Sequence, residues 1–158
     1  MNNIGRIENN ILNELKKLLG NRYSYHRGYI PEKKYKDKME GNDKYKGVPF
    51  ILIRAGKITT KRESALFTKK INFVVRIVIE NKKVEEGYLE ILEITDKIIT
   101  FLENSHYKVA GYDIDIEAGI NADINQDSTA GDYWGYDINF VINTGSTVLG
   151  SLVGKKLL

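Results

Sequence analysis

The sequence predicts an α+β domain: a four-stranded, mostly antiparallel sheet with two helices packed on one face. Two observations point to it. Apolar residues recur every three or four positions in two separate stretches, the period of an amphipathic helix. Each stretch is followed by a pair of apolar, β-branched runs with the two-residue alternation of strands. Sequential strands pair antiparallel, and each helix needs a sheet face against which to bury its stripe.

The first helix spans Asn3 to Leu19, with Ile4, Ile7, Ile11, Leu15 and Leu18 as its stripe and Gly20-Asn21 as its stop. Tyr23, Tyr25 and Tyr29 alternate with polar residues, the hint of a short strand that Pro31 ends. Glu32 to Lys46 is charged, with Gly41 and Gly47 as breakers, and reads as an exposed loop. Val48 to Ala55 (VPFILIRA) is an apolar strand; Pro49 has no N–H for the ladder and belongs at the strand's start or on an edge. Gly56-Lys57 is a turn signal, and Ile58 to Phe67 carries no decisive pattern. Lys69 to Glu80 (KKINFVVRIVIE) is the strongest strand, with Ile71, Phe73, Val75, Ile77 and Ile79 on one face and Val74 and Val78 on the other.

Glu85 to Glu103 is the second helix. Tyr88, Ile91, Leu92, Thr95, Ile98, Ile99 and Leu102 form its stripe, and Glu85, Glu86 and Glu90 suit the positive end of its dipole. Tyr107 to Ala122 alternates Tyr112, Ile114, Ile116 and Ala118 against Asp113, Asp115 and Glu117. After a polar loop, Tyr133 to Asn143 (YWGYDINFVIN) sets Trp134, Tyr136, Ile138, Phe140 and Ile142 on one side and closes a long hairpin. Residues 1–143 thus form one domain with an exposed basic loop at 20–47, and residues 144–158 form an arm. The sheet face away from the helices, bearing Phe50, Leu52, Val74, Val78 and Val141, is apolar enough to call for a partner.

A chain of 158 residues suits one domain, and 42% hydrophobic with 28% charged residues excludes disorder over its whole length. The absence of cysteine excludes disulfides, thiolate metal sites and a cysteine nucleophile. No run approaches the ~20 apolar residues of a membrane span, and Glu8 and Glu14 interrupt the N-terminal stretch, so neither a membrane helix nor a secretory leader is expected. His26 and His106 have no companion motif, and G-x-S-x-G does not occur. Gly145 and Gly150 have the spacing of a phosphate-binding loop, but Ser151 stands where the lysine must be. Asp113, Asp115 and Glu117 begin like a calcium loop, yet Ala118 and Ile124 hold the positions of its glycine and its bidentate glutamate. Asp123, Asn125 and Asp127 fail in the same way at Ser128 and Trp134. The expectation is a non-enzyme without catalytic residues, metal or cofactor.

Charge is unevenly spread around a net +3. Arg54, Lys57, Lys61, Arg62, Lys69 and Lys70 face a single acid, Glu63, in their stretch, whereas Glu103 to Asp137 holds eight acids and one base, Lys108. Opposite patches of this kind let copies of a chain dock and fix their orientation. Ten tyrosines and the basic stretches leave a nucleic-acid-binding module as an alternative. The acidic second half and the lack of an RNP-type motif count against it.

An N-terminal helix, a basic loop, VPFILIRAG, KKINFVVRIVIE, EEGYLEILEITDKIITFLE and GDYWGYDINFVI follow one another over about residues 3–143. That order resembles the tail terminator (tail completion) proteins of tailed phages and of phage-tail-like bacteriocins. The resemblance implies a structural protein of the virion or particle, assembled in the bacterial host cytoplasm. It would form a ring, usually a hexamer, that caps the head-proximal end of the tail tube. Its partners would be itself, the tube protein, and sheath or head–tail connector proteins, with DNA only as passing cargo. A head–tail joining or neck protein is the close alternative. A ring needs two complementary surfaces on each copy. The candidates are Lys57, Lys61, Arg62, Lys69 and Lys70 on one side, and Asp113, Asp115, Glu117, Asp132 and Trp134 on the other. The basic loop and the C-terminal arm would order on a neighbour.

Overall fold

Helix α1 (Asn3–Leu19) buries Ile7, Ile11, Leu12 and Leu15. It stops at Gly20, whose N–H donates to the Lys16 carbonyl at 2.8 Å with a φ of 83°, a left-handed conformation that glycine adopts at no steric cost. Then follow strands β1 (Ser24–Arg27), β2 (Phe50–Glu63) and β3 (Leu66–Glu80), helix α2 (Val84–Asn104), and the short strands β4 (Lys108–Val109), β5 (Tyr112–Ile114) and β6 (Asn121–Ile124). A single 3₁₀ turn (Gln126–Ser128) leads into the long last strand, β7 (Tyr133–Val148). The computed structural model describes residues 3–29, 48–63, 65–104, 108–109 and 111–148. Most of the predicted basic loop, His106 and the arm beyond Val148 lie outside the described residues.

The strands form one seven-stranded sheet in the order β1-β2-β3-β7-β5-β4, with β6 also paired to β7. The α+β class stands, but the expected four-stranded antiparallel sheet is corrected to a larger, mixed one. β1 runs parallel to β2, from Ser24 opposite Phe50 to Arg27 opposite Ile53. Its Ser24 N–H donates to the Pro49 carbonyl at 2.9 Å, so Pro49 stands one residue ahead of β2, where it interrupts no ladder. The alternation predicted through Ala122 breaks at Asp115. That carboxylate accepts from the N–H of Glu117 (3.1 Å) and of Ala118 (3.3 Å), an Asx turn that diverts the chain. Ile116 is consequently 60% exposed. The arm predicted from Thr144 starts later than expected, because β7 continues to Val148 beside β3.

Both helices cover the same sheet face. Ile51 and Ile53 of β2, Ile71 to Ile79 of β3 at every second position, and Ile138, Phe140 and Ile142 of β7 form one buried cluster with Ile7, Ile11 and Leu15 of α1 and Ile91, Ile98 and Leu102 of α2. Gly87 lets α2 lie directly on Trp134: a Cβ there would stand 2.8 Å from the indole Cδ1, closer than packed atoms allow. The uncovered face is less apolar than predicted. Phe50, Leu52 and Val78 make a small cluster with Val48 and Tyr133. Beside it Arg76 grips Asp137 through Nε (2.8 Å) and Nη2 (3.1 Å), and Asn125 donates to the same carboxylate at 2.9 Å.

Candidate assembly surface

The helix-covered core ends at Ile71, but β2, β3 and β7 run on as a three-stranded ribbon that carries Glu63, Leu66 and Val148 at its tip. Exposure of Ile58 (47%) and Leu66 (39%) marks the point where apolar cover gives out. Two irregularities lie at the base of the ribbon, between Ala55 and Ile58 on β2 and between Thr68 and Lys70 where β3 meets β7. An extra residue in one strand bends it and shifts its side-chain alternation by one. Ile51, Ile53 and Ala55 share the helix face; after the bulge Ile58 takes that side, opposite Ile71. Lys57, Thr59 and Lys61 therefore turn to the uncovered face. The Gly56-Lys57 signal is a bulge rather than a turn, and Ile58 to Phe67 is the ribbon hairpin.

On the uncovered face the sheet curls into a groove of about 830 Å³. One wall carries Lys57, Lys61 and Lys70, the floor carries Asn72, Asn139 and Asn143, and the other wall is the turn at Asp115–Ala118. Lys70 Nζ reaches Asp115 Oδ2 across it at 2.7 Å. Of the ten predicted surface residues, Lys57, Lys61, Lys70 and Asp115 thus line one groove. Arg62 lies on the ribbon's other face with its guanidinium 5.9 Å from the Phe67 ring centroid. Lys69 is exposed on the ribbon, Asp113 lies on β5 opposite Asn143, and Glu117 is exposed in the turn. Trp134 is at the far end of β7, roughly 30 Å from Asn143 at ~3.4 Å per residue, and Asp132 lies just ahead of that strand. There the Asp132 carbonyl accepts from Asn81 N–H at 2.8 Å. Trp134 packs on the core, with Tyr88 edge-on at 5.7 Å.

The asparagine floor was missed in the sequence. Its signal is plain once β3 and β7 are aligned, since Asn72, Asn139 and Asn143 alternate with the buried Ile71, Phe73, Ile138, Phe140 and Ile142. Ammonium and carboxamide groups in a concave surface donate hydrogen bonds to carboxylates, phosphates or backbone carbonyls. Among the described residues no group of three His, Cys, Asp or Glu side chains is placed to hold a metal ion. His26, on β1, lies edge-on to Phe50 at 6.1 Å. In comparisons with known proteins, no family model and no curated protein matches this chain. No helix among the described residues is long and apolar enough to cross a membrane.

The hydrogen bond from Lys70, with help from the Ala118 and Glu117 N–H groups and against the desolvation it suffers, holds the Asp115 carboxyl below its ordinary 3.8. A carboxylate depressed in the folded state stabilises the fold above its unfolded pKa and loses that contribution as pH falls through the lower folded value. The Lys70–Asp115 bridge is therefore expected to persist as pH falls through 3.8 and to be lost only below it. An NMR titration of the Asp115 carboxyl checks this: its midpoint falls below 3.8 in the parent and returns toward it in Lys70→Met. An unchanged midpoint in Lys70→Met contradicts the bridge.

Proposed function

We propose that this chain is a structural, non-enzymatic protein of a phage tail or phage-tail-like particle. Several copies form a ring that caps the head-proximal end of the tail tube and ends its growth. One observation carries the proposal: three strands leave the helix-covered core as a charged ribbon that no other described element covers. A three-stranded ribbon needs an apolar face or a packed helix to be stable by itself, which favours burial of this one between copies.

The lateral sorting of charge supports the same conclusion. Lys57, Lys61, Arg62 and Lys69 lie on the β2–β3 side, whereas Asp113, Glu117, Asp123 and Asp127 lie beyond β7 on the β5–β6 side. A ring repeats one heterologous contact and needs two such unlike surfaces. The order of helices and strands resembles that of tail terminators and supplies the particle and the partners: the tube protein below, sheath or connector above. The groove contains no aromatic side chain for base stacking among its described lining residues, which weighs against the nucleic-acid alternative.

Multi-angle light scattering of the purified chain, alone and with polymerising tube protein, tests this. A species at a multiple of 18.0 kDa, or tubes that stop growing with one capped end in electron micrographs, is expected. A monomer in both conditions together with unaltered tube lengths overturns it.

A further inference from the structure

Building on the ring proposed above, we infer that copies join by strand addition, with the open edge of β2 in one copy pairing in parallel with the open edge of β7 in the next. On β2, the neighbour β1 reaches only to Ile53. From Gly56 to Glu63 the side away from β3 has no strand beside it among the described residues. On β7, the side away from β3 is taken by β6 from Tyr136 to Asn139 and by β5 at Ile142 and Asn143. From Thr144 to Val148 that side likewise has no strand beside it among the described residues.

The two edges flank one ribbon at one height. Lys61 is level with Thr68 and Thr68 with Ser146; Arg62 is level with Phe67 and Phe67 with Thr147. Both β2 and β7 are antiparallel to β3, so they run parallel to each other, toward the tip. A second ribbon set alongside in the same direction brings β2 against β7 along edges that no described strand occupies, the geometry of strand addition. Each copy then uses one edge of each kind. That heterologous contact closes a ring by rotation about an axis along the ribbon, whereas β2 against β2 would be isologous and end at a dimer.

Charge selects between the two. Lys57, Lys61 and Arg62 are exposed on the β2 side, and Asp113 and Glu117 are exposed beside the β7 edge. Pairing β2 with β2 aligns like charges, while pairing β2 with β7 sets cations toward carboxylates. Lysines on an edge also deter indiscriminate strand addition, so only an acidic neighbour is admitted.

The chain has no cysteine, so introduced thiols report without background. Thr60→Cys on β2 is combined in turn with Thr144→Cys and Thr147→Cys on β7; position 147 is level with Arg62, which shares the ribbon face of Thr60. The proteins are oxidised at low salt, alone and on tube ends, and resolved on a non-reducing gel, with far-UV circular dichroism confirming the parental fold. Within one copy β3 separates the two strands by about 10 Å, beyond disulfide reach. At least one pair is expected to give a ladder of covalent multimers beyond dimer, and Thr60→Cys alone none. Adding Lys57→Glu, Lys61→Glu and Arg62→Glu should abolish the ladder, and Asp113→Lys with Glu117→Lys in the same chain should restore it. A ring by light scattering without a ladder from any pair overturns strand addition and leaves the ring standing. A disulfide dimer of Thr60→Cys alone overturns the direction of pairing. A chain that stays monomeric alone and on tube ends overturns both.

Discussion

Phe140→Ala is expected to lower the free energy of unfolding by about 3–5 kcal/mol, the largest loss anticipated for a single substitution here. Phe140 is 1% exposed and lies in the middle of β7, directly opposite Phe73 of β3. The two rings stack with centroids 6.0 Å apart and planes at 28°. They sit where the longest strands meet the two helices, so truncation leaves a void that no exposed side chain can swing in to fill. Against a usual total of about 5–15 kcal/mol for a domain, that loss brings the chain close to unfolding at ordinary temperature. Urea unfolding followed by circular dichroism should show the midpoint fall while the slope holds. The double substitution Phe73→Ala/Phe140→Ala should cost less than the sum of the two by about 0.5–1.5 kcal/mol, the aromatic pair term. Strict additivity contradicts the stacked pair.

Glu8→Ala should cost about 2–3 kcal/mol, because it strands two groups at once. Glu8 Oε2 accepts the Ala55 N–H at 2.9 Å, and Oε1 accepts from Arg27 Nη2 at 3.2 Å. The same Nη2 donates to the Gly5 carbonyl at 2.8 Å. The Glu8 and Arg27 side chains are 14% and 30% exposed, so solvent offers only partial screening. Without the carboxylate, Arg27 keeps a half-buried charge whose Nε already has no partner, and β2 loses its tie to α1 one residue before the bulge. Faster hydrogen exchange at the Ala55 amide is expected along with the fall in stability. The double substitution Glu8→Gln/Arg27→Met should be milder than Glu8→Ala, since no charge is left behind. Equal cost contradicts that cause.

What the sequence revealed and what it hid follow from the range of the interactions. The bounds of α1 and the inner faces of β3 and β7 were readable, because a buried stripe repeats with a fixed period within one element. β1 gave only a hint: its four residues are uniformly half-buried, and its partner strand is more than twenty positions away in the chain. Ile58 to Phe67 showed no pattern because it runs beyond the helix-covered core, where no buried face imposes one, and turns back between Glu63 and Leu66. Gly87 passed unnoticed since its role lies in the Trp134 ring that it touches. Of the surface, the rows of opposite charge could be counted along the chain. That Lys70 and Asp115 would meet within one copy, while Trp134 would serve the core, depended on folding that brings distant residues together.

The shift at Gly56-Lys57 separates two sets of demands on a single strand. Ahead of it, odd-numbered positions answer to the helices; behind it, odd-numbered positions look the other way. Substitutions among Lys57, Thr59 and Lys61 can therefore remodel what the molecule offers to its surroundings without disturbing Ile51 or Ile53, and the interior can drift without rewriting the ribbon. One inserted residue acts as an insulator between foldability and the evolution of contact.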